Sequence, residues 1–229
     1  MDRRAVCGLL TVIVLTLVLG AAGSAPASAA GRVAWIAAEP GAAGPLMVAA
    51  DDGGGGGGAR RLAPSAAAFA LSPDGGAAVY DDARGATWLV AGAPRRRMPS
   101  GVSAARAAWA PDGRTVAFAR VPAARVLVVD RAGRTRMRRA LGAGGRLTGV
   151  AFSPGGTRLA VTRAGRVVTL RADGHGVLAR VALPEPDVYG PLWTPRGVAV
   201  EAGVADDATS PSGYTRFSTY LGGAPLSDL

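Results

Sequence analysis

The chain contains no lysine, asparagine or glutamine, and only one histidine and one cysteine. All 26 of its basic residues are therefore arginine, set against 16 acidic ones for a formal net charge of +10. With Ala, Gly and Pro abundant as well, this usage reads as GC-rich coding that writes every surface cation as Arg, and the charge alone selects no partner. The sole cysteine, Cys7, precedes the apolar run Leu9–Leu19 rather than standing at a cleavage site, where a lipoprotein cysteine would sit. Disulfides and cysteine-based zinc sites are thereby excluded from the folded part.

Scarcity of histidine limits the chemistry further. There is no G-x-S-x-G elbow, and His175 lies in Asp173-Gly174-His175-Gly176, a strand-connecting turn, so nothing in the spacing assembles a hydrolytic triad. Metal binding reduces to an oxygen-ligand site for a hard cation. The acidic pairs Asp51-Asp52, Asp81-Asp82 and Asp206-Asp207 lack the alternating spacing of a calcium loop and read as turn residues. The run Gly53–Gly58 has no following Lys and helix to cradle phosphate, and reads as a flexible surface insertion. No metal and no cofactor are expected.

What is present begins with a leader. Arg3 and Arg4, the run Leu9–Leu19 and the small residues up to Ala27-Ser28-Ala29-Ala30 form the three parts of a secretory signal over residues 1–30, with cleavage after Ala29 or Ala30. The apolar run is shorter than the ~20 residues that span a bilayer, so no retained transmembrane anchor is expected. Ala5, Val6 and Cys7 match the twin-arginine signal weakly, which favours the general secretory route. The mature chain is expected to be secreted or extracytoplasmic, in the periplasm or cell envelope. Nucleic acid is a poor partner, because export removes the chain from it and no recognition helix or aromatic stacking motif occurs.

Residues 31–229 are organised by a repeat. Leu71-Ser72-Pro73-Asp74-Gly75, Trp109-Ala110-Pro111-Asp112-Gly113, Phe152-Ser153-Pro154-Gly155-Gly156 and Trp193-Thr194-Pro195-Arg196-Gly197 share one pattern, with prolines 38, 43 and 41 residues apart. Each is followed by a β-rich triplet: Ala78-Val79-Tyr80, Val116-Ala117-Phe118, Leu159-Ala160-Val161 or Val198-Ala199-Val200. A fifth triplet, Val33-Ala34-Trp35, lacks its own turn. Pro presets φ at the second turn position, Asp suits the third, and Gly accepts the left-handed conformation that rejoins the next strand. Further strands are expected at 46–49, 87–90, 126–130, 167–171 and 214–220, with a weaker fourth strand after each. No capped 3.6-period pattern is sustained, so the fold class is all-β. A sheet of four short strands cannot bury both faces alone, and units of about forty residues must stack face to face, as in a β-propeller of four-stranded antiparallel blades.

Ser72-Pro73-Asp74-Gly75 with Ala78-Val79-Tyr80, and Ala110-Pro111-Asp112-Gly113-Arg114 with Val116-Ala117-Phe118, resemble the WD40-like repeat of TolB-type bacterial propellers. Gly155 and Arg196 depart from the usual Asp. The resemblance covers about residues 31–205 and implies a fold more than a task. About five blades are expected, at 31–65, 66–103, 104–146, 147–188 and 189–229. The first opens at its second strand and no candidate for its innermost strand follows Asp228-Leu229, so the ring is irregularly closed or incomplete.

By the same resemblance, ligands meet the face built from the loops between second and third strands and between successive blades. Asp81, Asp82, Arg84, Arg120, Arg146, Asp187, Tyr189, Asp206 and Asp207 fall in those loops, with the proline turns and His175 opposite. Alternation of Arg134, Arg136 and Arg138 places three guanidinium groups on one face of an edge strand, where charge blocks sheet-to-sheet aggregation. Arg95-Arg96-Arg97 falls at the equivalent place one blade earlier, so both stretches would share a basic rim. The expected function is a non-catalytic, secreted or envelope-associated propeller that binds a protein or an anionic envelope polymer. The alternative is a hydrolase or lyase acting on a carbohydrate or lactone through channel aspartates, which for a glycosidase requires carboxylates roughly 5–9.5 Å apart.

Overall fold

The computed structural model describes residues 31–39, 42–51, 58–92, 94–121, 124–142, 146–184, 186–205, 214–221 and 224–225. The leader with Cys7, Asp52 and most of the glycine run, and Asp206 and Asp207 lie outside the described residues.

The described residues form five antiparallel sheets in sequence order. The first has three strands, β1 (Gly31–Ile36), β2 (Gly44–Asp51) and β3 (Arg60–Ala66). The second holds β4 (Ala68–Leu71), β5 (Ala78–Asp81), β6 (Thr87–Val90) and β7 (Arg96–Arg97). A 3-10 turn, Ala104–Arg106, leads into the third, β8 (Ala107–Trp109), β9 (Thr115–Arg120), β10 (Arg125–Asp130) and β11 (Thr135–Ala140). The fourth is β12 (Leu147–Phe152), β13 (Arg158–Arg163), β14 (Arg166–Arg171) and β15 (Val177–Ala182). The fifth is β16 (Asp187–Thr194), β17 (Gly197–Ala205), β18 (Tyr214–Leu221) and β19 (Ala224–Pro225). It starts two residues ahead of the boundary drawn at 189, which puts Asp187 and Tyr189 on one strand. Within each of the four-stranded sheets the strands pair in chain order, the up-and-down blade of a propeller.

Three of the four proline turns close alike. The amides of Gly75, Gly113 and Gly156 donate to the carbonyls of Ser72, Ala110 and Ser153, each at 2.8 Å, with φ between +64° and +69°. The fourth differs from the repeat: Thr194 pairs directly with Gly197, giving a two-residue hairpin. Its cause is in the sequence, because Val198 follows Gly197 at once, whereas the other turns have two residues between the glycine and the triplet.

Alternation along each strand feeds two cores. In β9 and β10, Val116, Phe118, Leu127 and Val129 pack toward the second sheet, while Ala117, Ala119, Val126 and Val128 pack toward the fourth. Strands buried on both faces read as continuous apolar runs, which is why these triplets are so uniformly hydrophobic. Leu46, Val48 and Tyr80 form the core between the first and second sheets, and Val167, Val188 and Val200 that between the fourth and fifth. Four apolar cores thus join five sheets in succession. Among the described residues, none joins the fifth sheet to the first.

Indole N–H groups add a directional link. Trp109, at the end of β8, donates to the Ala70 carbonyl of β4 at 3.0 Å, and Trp193 of β16 donates to the Ala151 carbonyl of β12 at 3.1 Å. Each bonds the inner strand of the preceding sheet at the residue before the equivalent large apolar position, Leu71 or Phe152. The large residue that opens the repeat motif therefore sits where one inner strand meets the next.

Candidate functional site

Up-and-down strand order sends the turns between second and third strands, together with the connections between sheets, to one end of every sheet. This upper face carries the described loop candidates. The proline turns and the turns between third and fourth strands, including His175, occupy the lower face.

Asp81, at the end of β5, is committed to the fold. Its carboxylate accepts hydrogen bonds from Thr87 Oγ1 at 2.6 Å, Ser103 Oγ at 2.6 Å and the Ala104 amide at 2.9 and 3.0 Å. Ser103 is the N-cap of the 3-10 turn, so Asp81 fixes the connection into the third sheet. Asp82 is committed to its own turn, accepting from the amides of Arg84 and Ala86, each at 2.9 Å, and from Trp88 Nε1 at 2.9 Å. The Trp88 and Ala86 donors hold the Asp82 carboxyl below its ordinary pKa. Both aspartates organise the face from beneath. Arg84, two residues after Asp82 in the same turn, is exposed.

A cleft of about 380 Å³ opens beside this turn, bounded by Arg84, Trp88, Arg97 and the connection 98–102. Next to it, Arg120 Nε donates to the Ser100 carbonyl at 2.9 Å. Toward the inner strands the structure gathers Arg106, Arg146 and Tyr189. Burial and the neighbouring Arg146 guanidinium lower the Arg106 pKa, against the opposite pull of Asp81 and Tyr189. Arg106 is a residue the repeat does not reveal, since it sits in an irregular turn among alanines. Asp187 begins the same strand as Tyr189 and is half-buried. Among the described residues no group of three or more His, Cys, Asp or Glu side chains converges as a metal set.

The basic stretches of the second and third sheets do approach each other: a Cβ on Gly133 would lie 3.0 Å from Arg96 Cδ. The expected run of three alternating cations is nevertheless interrupted. Arg134 remains in the turn before β11, and the ladder shifts register between Val128 and Val129. Arg136 and Arg138 flank the buried Met137 on the exposed side of β11. Arg136 is paired with Asp130 at 2.7 Å. Arg95 folds back over the second sheet, donating to the Tyr80 hydroxyl at 2.9 Å with its guanidinium 4.4 Å from the Trp88 ring centroid. Arg96 and Arg97 form the short β7 and are exposed.

No family model matches the chain, and no curated protein does. Among solved structures 788 chains match. One of them belongs to the crystal structure of the mitotic checkpoint complex, with a TM-score of 0.59 and 16% identity over 85% of this chain and 61% of that one. The chain therefore spans about three fifths of the solved chain's length. At this identity the likeness establishes the fold, a WD40-like β-propeller. An architecture shared so widely leaves the task to the loops.

Proposed function

We propose that this chain is an exported, non-catalytic propeller of the TolB type that holds a protein partner against its upper face at the cell envelope. The observation that carries the reading is the division of labour on that face. Two of its aspartates, Asp81 and Asp82, are spent on loop hydrogen bonds, while Arg84, Arg97, Arg120, Arg125, Arg146 and Arg166 present cationic groups on the same face. A general base must reach the proton it takes, and Asp81 and Asp82 each spend their oxygens on three donors of the fold. The solved chain of like fold comes from a complex of proteins, which lends support to binding as the use of such a face. Export rests on the sequence from Arg3 to Ala30, and the TolB likeness on the turns at Pro73 and Pro111.

A photo-crosslinking residue at Arg84, introduced into the full chain in its host, tests both halves. The expected result is a saturable adduct with one envelope protein, formed by a chain whose N-terminus is Ala30 or Gly31. Adducts formed only from a lower-face position such as His175, or an intact N-terminus in the cytosol, would overturn it.

A further inference from the structure

On the lower face two successive junctions between sheets share one plan, and the chain completes it in the first of them. Between the second and third sheets, the Arg131 guanidinium bonds both carboxylate oxygens of Asp74 and, through Nε, the Gly113 carbonyl, all at 2.6 Å. It also lies 6.0 Å from the centroid of the Trp109 ring. Carboxylate, carbonyl and aromatic ring together make a socket for a planar cation. Here the protein fills that socket with its own side chain.

Between the third and fourth sheets the three partners recur at the same repeat positions: Asp112 for Asp74, Gly156 for Gly113 and Phe152 for Trp109. The backbone fixes the equivalence, since the Ala172 amide donates to the Thr157 carbonyl at 2.9 Å as the Arg131 amide does to that of Arg114 at 3.2 Å. Ala172 therefore stands in the place of Arg131 and brings no guanidinium. A cleft of about 520 Å³ opens there, lined by Asp112, Phe152, Gly156 and Ala172 among others. The two glycines register the difference. A Cβ on Gly113 would meet Arg131 Nη2 at 2.7 Å and Asp74 Oδ1 at 3.4 Å, whereas a Cβ on Gly156 would meet only Pro111 Cδ, at 3.6 Å.

Neighbouring arginines are spent elsewhere. Arg136, at the rim of the cleft, gives Nε and Nη2 to Asp130 at 3.0 and 2.7 Å. Arg171, beside Ala172, gives the same two groups to Asp173 at 3.1 and 2.9 Å. Asp112 Oδ1 accepts the Arg114 amide at 2.9 Å, and among the described residues no cationic side chain lies within ion-pairing distance of the carboxylate. We infer that this cleft binds an arginine side chain of a protein partner, its guanidinium taking the place that Arg131 fills one junction earlier. Arginine fits better than lysine, because a planar fork bonds carboxylate and carbonyl together while its face meets the ring, and an ammonium cannot. A second copy of this chain is the poorer source, since a net charge of +10 makes copies repel. The cleft lies on the face opposite Arg84, so the inference goes beyond the platform reading and stands apart from it.

The test titrates the full chain with an end-blocked Gly-Arg-Gly peptide and follows the Gly156 and Ala172 amide resonances by NMR. Saturable shifts of both are expected, with the Gly-Lys-Gly peptide binding more weakly. Asp112→Asn keeps an acceptor for the Arg114 amide and should lower affinity about fivefold. Asp187→Asn makes the same charge change on the upper face and should leave affinity within about twofold. Ala172→Arg supplies the guanidinium from within, so it should abolish binding and raise the urea midpoint, a rise lost when Asp112→Asn is added. Equal affinity for the two peptides, undiminished binding by Asp112→Asn, or equal loss in Asp187→Asn overturns the inference, whether or not Ala172→Arg folds. Tighter binding of methylguanidine than of the peptide, or self-association that Asp112→Asn removes, overturns the partner protein as the source. If neither resonance shifts while the Arg84 crosslink persists, this site falls and the platform stands.

Discussion

Arg131, in the turn after β10, reaches back to the proline turn of the preceding sheet and sets Nη2 2.6 Å from both carboxylate oxygens of Asp74. Its Nε donates to the Gly113 carbonyl at 2.6 Å. One arginine thereby ties together two successive proline turns, 57 residues apart from its carboxylate partner. One sheet on, the preceding turn keeps Asp112 and the sheet's own turn keeps Gly156, but the position equivalent to Arg131 is Ala172, whose amide bonds the Thr157 carbonyl as that of Arg131 bonds Arg114, so the guanidinium that makes the link is missing there.

This link predicts an acid-sensitive step. Burial raises the Asp74 pKa, but the Arg131, Ser72 and Gly76 hydrogen bonds outweigh it and hold the group at about 2 against an ordinary 3.8. A carboxyl with a lowered folded pKa contributes stability in full above its unfolded value and loses it as pH falls through the folded one. Urea midpoints measured from pH 5 down to pH 2 should therefore decline more steeply in the parent than in Asp74→Asn. At pH 7 the substitution should cost about 1 kcal/mol or less, since the pair is partly exposed.

The indole bonds give a second prediction. Trp109→Phe keeps most of the apolar surface and deletes the donor to Ala70, so it should cost about 1–2 kcal/mol in urea unfolding. Trp193→Phe should behave alike through Ala151. Phe152 holds the same place in the fourth sheet without a donor, beside a cleft of about 520 Å³ between the third and fourth sheets. By the repeat, Phe152→Trp points its N–H at the Ala108 carbonyl, and its midpoint should rise.

Strands were readable to within a residue or two because their cause is local. Pro and Gly fix the turns, and Val-rich triplets mark strands buried on both faces; 87–90 coincides with β6, and the strands expected at 126–130 and 167–171 each begin one residue earlier. The three-stranded first sheet was visible for the same reason, as a triplet without a turn. What sequence did not show was how the site residues spend their hydrogen bonds. Asp81 is satisfied by Ser103 and Ala104, 22 and 23 residues away, and no spacing rule announces that partnership. Arg106 was missed because an irregular turn has no period, and the three-arginine stripe failed because a register shift in β11 cannot be read from alternation.

Asp81 and Arg84 separate scaffold from surface. Asp81→Ala strands the Ser103 hydroxyl and the Ala104 amide, while Thr87 Oγ1 keeps the Val102 carbonyl at 2.9 Å, and should cost about 2–3 kcal/mol, within the range for charged hydrogen bonds. Arg84→Ala should lie within about 0.5 kcal/mol of the parent. Thermal melts with proteolysis of the connection 98–106 check both: Asp81→Ala should be cut there first, and Arg84→Ala cut as the parent is. A loss of partner binding in Asp81→Ala would accordingly report a loosened loop, whereas the same loss in Arg84→Ala would report contact.

Gly101 sits where that connection turns over the third sheet, with φ +80°. A Cβ there would lie 2.2 Å from the Val121 carbonyl oxygen, whose own amide donates to Gly101 O at 2.7 Å. Backbone on both sides leaves neither partner a way to yield without breaking that bond. Gly92, on the lower face, has a similar φ of +92° with nothing within 4 Å of its Cβ position. Gly92→Ala should therefore cost only its left-handed conformation, about 1–2 kcal/mol. Gly101→Ala should cost clearly more and carry a second effect that Gly92→Ala lacks. It should displace the hairpin bearing Arg120 and Arg125, so proteolysis of the connection 98–106 should quicken as the urea midpoint falls. Equal midpoints for the two alanine variants would show that the connection is free to move away from Val121.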